Sequence, residues 1–578
     1  MAAEVFAVPE LAAMLTSKAL NRIFNPYFWK NTSVLNDTER EQWEIYRRAS
    51  RSGFLHKHRH HIETLRLEIF AAEYLHALLD GTSSDDVTTA PSALAQTPIG
   101  TSPHPGFSSL KSVSIAVGAV LYSQLSKKDA VIPDSALNRL LESAPNITCL
   151  TLYPEVLEST KFMTILETGL HHLQTLILTP APELWARSFA LSSPLLSALP
   201  VLFAKPNLTT LELDFPLIRE DSPALVTKAM KDLAGSPKSK SAITSIVFPG
   251  AKDLFTMAFV KPLLESCLPQ LQILNVPSVG VQELAQLTDI VQDHCPNVRE
   301  LNLARLYIAR DPPAMKEQIV HLIMSCEDLR VFHGPPFDRE GYLWAITQAL
   351  LHHANTLESV TLAEKMGSSD FASLISSMRA LRTLIVFRGG RTEVEGAISM
   401  PWACRHLRKL EWTIEEAGLD LDPEFNPGLP SERLGGEDLG NVAMRKLFKN
   451  IGELTELEDL CLKHCCTSRW KFEKDWTLGG GLGFLGGLVN LRKLRLDYGL
   501  DHIGQAEVEF MYKHWPNLQE VVFEMVETQV DQYRLPWEWL KSCRPDLKYT
   551  FETYPESYPS SDPDDPSDNF LYCGLEGY

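Results

Sequence analysis

One nine-residue pattern recurs along this chain and constrains its folding more than any other feature. In Cys295-Pro296-Asn297-Val298-Arg299-Glu300-Leu301-Asn302-Leu303 the apolar residues fall at Val298, Leu301 and Leu303. The same spacing follows Pro-Asn at Ile147–Leu152, Leu208–Leu213 and Leu518–Phe523. The last apolar residue of each copy gives the series Leu67, Ile115, Leu152, Leu178, Leu213, Phe248, Val276, Leu303, Leu362, Val386, Trp412, Leu462, Leu496, Phe523 and Phe551. Spacings of 28 and 27 residues separate Phe248, Val276 and Leu303, and 24 and 26 separate Leu362, Val386 and Trp412. The 59 residues between Leu303 and Leu362 leave room for a degenerate copy at Asp328–Phe332.

L-x-x-L-x-L with a period of about 20–29 residues is the strand signature of a leucine-rich repeat. Most copies follow an amphipathic run such as Val281–Val291, where apolar residues recur at intervals of three and four. A unit is therefore helix, Pro-Asn turn and short strand, with proline placed where the helix must stop. A single unit buries three or four aliphatic side chains, a gain of roughly 5–10 kcal/mol. Ordering its backbone costs about 1–2 kcal/mol per residue, so units must stack to be stable. The expected fold is α/β: a leucine-rich-repeat solenoid or horseshoe, with a parallel sheet on its concave face, helices on its convex face and a short helical N-terminal cap.

The repeat divides the 578 residues into a helical N-terminal region over 1–60, a solenoid over 61–554 and an acidic tail over 555–578. The tail has six acids and no base, and reads as disordered. Two segments interrupt the array. Residues 81–106 are rich in Ser, Thr, Pro and Ala and read as a flexible loop. Residues 414–438 form an insertion with eight acids and one arginine. With 54 basic against 73 acidic residues, the net charge of −19 argues against nucleic acid as a partner. No run reaches the 18 apolar residues of a membrane span, and Met1–Glu10 lacks the basic start of a signal peptide. Ten scattered cysteines form no disulfide framework, which fits a reduced cytoplasmic or nuclear setting.

Three segments imitate chemistry that their context does not support. His56-Lys57-His58-Arg59-His60-His61 suggests a metal or phosphate site, but cations also suit a helix C-terminus. Cys461, His464, Cys465 and Cys466 lack a second ligand pair, so no metal is expected. Gly481-Leu482-Gly483-Phe484-Leu485-Gly486 fits G-x-G-x-x-G, yet a repeat strand follows where a dinucleotide site needs a helix. No nucleophile elbow or similar catalytic context marks the chain, and neither an enzymatic activity nor a cofactor is expected.

Pro9-Glu10-Leu11 with Leu15, and then Asn21–Trp29, resemble the opening and closing segments of the F-box in fungal F-box proteins with leucine-rich repeats. His514-Trp515-Pro516-Asn517-Leu518 is similar to the terminal repeats of that family. The resemblance implies a substrate-recognition subunit of a Skp1–cullin–F-box ubiquitin ligase, with Pro9, Glu10, Leu11 and Leu15 docking a Skp1-type adaptor and the repeats holding an unknown protein substrate. The middle of the F-box has no counterpart between Leu15 and Asn21. A leucine-rich-repeat interaction scaffold without the adaptor is therefore a second expectation. In either case, contact falls to strand residues pointing away from the buried leucines: Thr210, Glu212, Asp214, Glu300, Asn302, Lys409, Glu411, Asp459, Lys463, Lys493, Arg495 and Asp497.

Overall fold

A computed structural model describes residues 31–34, 59–68, 79, 107–116, 134–152, 156–157, 159–179, 193–213, 241–247, 260–261, 264, 270–276, 279–304, 306, 313–335, 343–362, 368–389, 396–414, 439–464, 477–497, 503–526 and 530–554. They belong to two compact units, Met1–Val298 and Arg299–Tyr578.

In the first unit the strands are β1 (Asn31–Val34), β2 (Thr64–Glu68), β3 (Ser112–Ala116), β4 (Cys149–Leu152), β5 (Thr175–Leu178), β6 (Thr210–Leu213), β7 (Ser245–Val247) and β8 (Ile273–Asn275). Each pairs in parallel with the next in chain order. The helices are α1 (Asp134–Glu142), α2 (Thr160–Thr168), α3 (Ser193–Phe203) and α4 (Val281–His294).

The second unit repeats the plan with β9 (Glu300–Asn302), β10 (Val331–His333), β11 (Ser359–Leu362), β12 (Thr383–Gly389), β13 (Lys409–Ile414), β14 (Asp459–His464), β15 (Lys493–Asp497), β16 (Glu520–Val526) and β17 (Lys548–Tyr554). These are also parallel and ordered as in the chain. Between them lie α5 (Pro313–Ser325), α6 (Leu343–His352), α7 (Ser368–Ser377), α8 (Leu439–Gly452), α9 (Gln505–His514) and α10 (Val530–Cys543). Parallel strands joined through helices in sequence order make the α/β repeat architecture expected of a solenoid.

The leucine spacing produces this arrangement directly. In β4, β5 and β6 alternate residues are buried, because successive strand side chains point to opposite faces. Parallel register stacks the buried ones in rows: Leu301, Phe332, Val360, Leu384, Leu410, Leu460, Leu494 and Val521 form one, all fully buried. In α4, Leu284, Leu287, Ile290 and Val291 make the matching helical stripe. That helix ends where Pro296 begins, and Cys295 is its buried C-cap, its N–H donating to the Val291 carbonyl. Burial drives the Cys295 thiol up to about 12, so it packs as a small apolar group rather than as a nucleophile.

The degenerate copy at Asp328–Phe332 proves to hold a strand, β10. The N-terminal region, expected to be helical, contains one too: β1 pairs with β2 from Asn31↔Thr64 to Val34↔Leu67. The four residues Asn-Thr-Ser-Val are too short to show a period of their own, and it is the exposed edge of β2 that recruits them. The rest of the proposed cap, both interrupting segments and the tail lie outside the described residues, apart from Arg59, His60 and Ile414.

The Pro-Asn turn has a function that its sequence did not disclose. Asn146 Nδ2 donates to the Ser108 carbonyl (2.8 Å), Asn207 to His171 (2.8 Å) and Asn517 to Val489 (3.0 Å); Asn490, which follows Val489 rather than a proline, makes the same bond to Thr455 (2.9 Å). Each bond reaches the turn of the preceding repeat, so the asparagine staples neighbours together. Replacing Asn517 or Asn207 by alanine is expected to cost about 1 kcal/mol each, with the two losses additive. Denaturant unfolding of both single variants and the double variant checks this; a double loss no larger than either single one would refute independent staples.

Glycine replaces side chains where the repeat after β14 packs most closely. There a 3-10 helix, Leu482–Gly487, lies between α8 and α9. A Cβ on Gly452 would sit 2.0 Å from the Phe484 carbonyl oxygen, and one on Gly487 would sit 2.6 Å from that of Gly452. On the other side Gly486 faces Phe510 and His514, whose rings stack at 4.4 Å. Gly481 has φ of 126°, a conformation that side chains disfavour. Of the G-x-G-x-x-G glycines, Gly481 leaves room for Phe448 and Arg445 and Gly486 for Phe510 and His514, while the backbone-to-backbone approach falls to Gly452 and Gly487; the 3-10 segment is followed by β15.

Candidate protein-interaction face

The residues between the buried rows form rows of their own on the opposite face of each sheet. In the second unit the first is Glu300, Val331, Ser359, Thr383, Lys409, Asp459, Lys493, Glu520 and Lys548. The next is Asn302, His333, Thr361, Ile385, Glu411, Cys461, Arg495, Val522 and Thr550. Seven expected contact residues, Glu300, Asn302, Lys409, Glu411, Asp459, Lys493 and Arg495, therefore share one face. Backbone register continues the series through Lys463 and Asp497, whose side chains lie outside the described residues. Thr210 and Glu212 hold equivalent positions in the first unit, among Ser112, Cys149, Thr175 and Ser245 and among Ser114, Thr151, Ile177 and Val247. Asp214 and the proposed adaptor contacts Pro9, Glu10, Leu11 and Leu15 lie outside the described residues.

Chemically, the face of the second unit has two parts. From β9 to β12 only Glu300 and His333 can titrate, and burial penalises the charged form of both, raising Glu300 and lowering His333. From β13 to β17 the first row alternates in sign: Lys409, Asp459, Lys493, Glu520, Lys548. Glu520 binds Lys548 at 3.0 Å and Lys493 at 3.3 Å, and these contacts hold its carboxyl below the usual range despite partial burial. Asp459 shows the opposite balance: burial raises it, although Lys409 and Lys493 both pull it down. Glu411, expected to be open to a partner, is only 9% exposed and pairs along its own strand with Lys409 at 3.4 Å. Ile385, Cys461 and Val522 are buried in the same row, so position in the pleat alone does not confer exposure.

A charged rim runs along the strand N-termini and was missed in the sequence. The residues just before β9, β10, β11, β12, β13, β14 and β15 are Arg299, Arg330, Glu358, Arg382, Arg408, Glu458 and Arg492. The carbonyl of each, up to Arg492, receives two consecutive N–H groups from the next repeat; at Arg299 the donors are Arg330 and Val331. Their side chains interlock through Arg330–Glu358 (3.5 Å), Arg382–Glu358 (3.8 Å), Arg408–Glu458 (3.8 Å) and Arg492–Glu458 (3.5 Å), with Asp328 joining Arg299 and Arg330. All are at least one-third exposed, so each pair contributes little by itself. The signal that could have found them is the recurrent Arg or Glu at the residue preceding each strand.

The position of Glu300 makes a pH-dependent prediction. Its carboxyl titrates above the ordinary value because burial disfavours the ion, so its contribution to stability is complete below about pH 4.3 and declines as pH rises through the folded-state value. Glu300→Gln is expected to melt at or above the wild-type temperature at pH 7, with the difference closing towards about pH 4. A variant that melts clearly lower at pH 7 would reveal a favourable contact made by the carboxylate.

No protein-family model matches this chain, and no curated protein matches it.

Proposed function

We propose that this chain is a non-catalytic recognition protein and acts as the substrate-recognition subunit of a Skp1–cullin–F-box ubiquitin ligase. The observation that carries the recognition reading is the two-row face of the second unit. Register places side chains of both signs on it, every second residue of each strand belongs to the core, and charged positions such as Lys409, Asp459, Lys493 and Glu520 stand between the buried rows. A rigid sheet that offers ordered, partly desolvated charges suits a protein surface of complementary pattern. The ligase part rests on the F-box resemblance of Pro9, Glu10, Leu11 and Leu15 and of Asn21–Trp29. In this reading those segments dock a Skp1-type adaptor and the sheet face holds the substrate, in the cytoplasm or nucleus. Among the described residues no helix is long and apolar enough to cross a membrane.

The shortness of the segment between Leu15 and Asn21 favours a second reading, an interaction scaffold that no longer binds the adaptor. Co-purification with a Skp1-type adaptor separates the two. If the full chain retains the adaptor and a chain lacking residues 1–30 loses it, the ligase reading stands. If neither retains it, the scaffold reading replaces it.

A further inference from the structure

Register sets six side chains of β9, β10 and β11 in a small grid on the candidate face. Glu300, Val331 and Ser359 are neighbours in one row, and Asn302, His333 and Thr361 are neighbours in the next. Adjacent strands lie about 4.8 Å apart and same-face residues along a strand about 7 Å apart. Val331 is thus a short apolar side chain bounded by Glu300, Ser359 and His333. The polar groups around it lack partners of their own. Glu300 and His333 make no side-chain hydrogen bond or ion pair among the described residues, although both are partly withdrawn from water. Thr361 Oγ1 is enclosed and also has no partner. Asn302 is held by its own turn, its Oδ1 accepting the Ala304 N–H at 2.9 Å. The basic side chains that immediately precede β9 and β10 are engaged elsewhere, since Asp328 binds both Arg299 and Arg330 and Glu358 binds Arg330.

A partly buried carboxylate without a counter-ion and an enclosed hydroxyl without a partner both weaken the fold. A ligand that completes them recovers that loss on binding. Resting on the recognition reading above, we propose that this grid receives an arginine side chain of the partner protein, its guanidinium seated over Val331 between the Glu300 carboxylate and the Ser359 and Thr361 hydroxyls. The sign follows from the donor and acceptor set: one carboxylate, two hydroxyls and an imidazole that burial keeps neutral at pH 7. The choice of arginine over lysine follows from the spacing. Glu300 and Ser359 stand two strand spacings apart, about 10 Å. A planar guanidinium with a hydrogen bond at either end spans that gap, whereas an ammonium is a point charge that reaches one side of it. His333 and Thr361 then close the second row beside the bound group.

Selection from a random peptide display library on the immobilised full chain is expected to return sequences that share an arginine. Replacing that arginine by lysine in a selected peptide is expected to weaken binding about tenfold. Glu300→Gln is expected to weaken the arginine peptide about tenfold or more, and Thr361→Val about two- to tenfold. Neither substitution is expected to lower the melting temperature, because each removes a group that the free fold leaves unpaired. Should Glu300→Gln unfold, Thr361→Val and the arginine-to-lysine exchange decide the matter. Selected peptides without a shared arginine, or an arginine peptide held as tightly by either variant as by wild type, overturn the site and leave the recognition reading in place. A chain that selects no peptide at all overturns both.

Discussion

Gly452→Ala is expected to destabilise the second unit by about 3 kcal/mol or more, the largest loss from adding a single methyl group. The added Cβ would lie 2.0 Å from the Phe484 carbonyl oxygen and 2.9 Å from its carbon. Both are backbone atoms, so no side-chain rotation relieves the clash. The 3-10 helix Leu482–Gly487 must then move away from α8, and Gly487, itself in close approach to the Gly452 carbonyl, must move with it. This segment buries Leu482 and Leu485, and its Leu485 carbonyl accepts the Trp515 indole N–H at 3.0 Å, so displacement spreads to the next repeat. Gly483→Ala is the control: its Cβ would meet only the Leu478 carbonyl oxygen at 3.9 Å, an ordinary contact. Thermal unfolding should separate the two, with Gly452→Ala lower by roughly 2–4 °C per kcal/mol and Gly483→Ala within about 0.5 kcal/mol of wild type. Equal melting temperatures for the two variants would refute the packing described for this repeat.

Trp412→Ala is expected to cost about 3–5 kcal/mol. Trp412 occupies a position that Leu462 and Leu496 fill in the two following strands, is fully buried, and lies against Phe371 of α7 with ring centroids 4.8 Å apart. Alanine would leave a cavity between sheet and helix layer that the stacked neighbours cannot close. Trp412→Phe is expected to lose far less, about 1 kcal/mol, because most of the apolar volume remains. The indole Nε1 is also buried without a hydrogen-bond partner among the described residues, so phenylalanine removes an unsatisfied donor. Denaturant midpoints for both variants check the prediction; a phenylalanine variant as unstable as the alanine one would mean that the nitrogen, rather than the ring volume, holds the site.

Strand positions were legible because each repeat announces itself within nine residues. Of the fifteen markers, twelve fall inside a strand, Val276 and Leu303 follow β8 and β9 by one residue, and Phe248 lies outside the described residues. The candidate face was legible for a similar reason: period-two alternation assigns Glu300, Asn302, Lys493 and Arg495 to the side opposite the leucines without reference to any neighbour. Alternation could not foresee how closely the rows pack across strands, and so it misjudged Glu411, which is nearly enclosed beside Lys409.

By itself, then, the sequence determined the repeat, its parallel strands, the rows of buried leucines and the faces on which charges lie. All of these follow from residues close together in the chain. The tertiary structure alone decided what one repeat does to the next. It assigned Asn146, Asn207 and Asn517 to carbonyls 28 to 38 residues earlier, interlocked Arg330, Glu358 and Arg382, and brought the Gly452 and Phe484 backbones together. The physical reason is that such contacts depend on how consecutive repeats stack: the local pattern shows which residue types recur at each turn, but the partner each one meets is set by the length of the intervening segment.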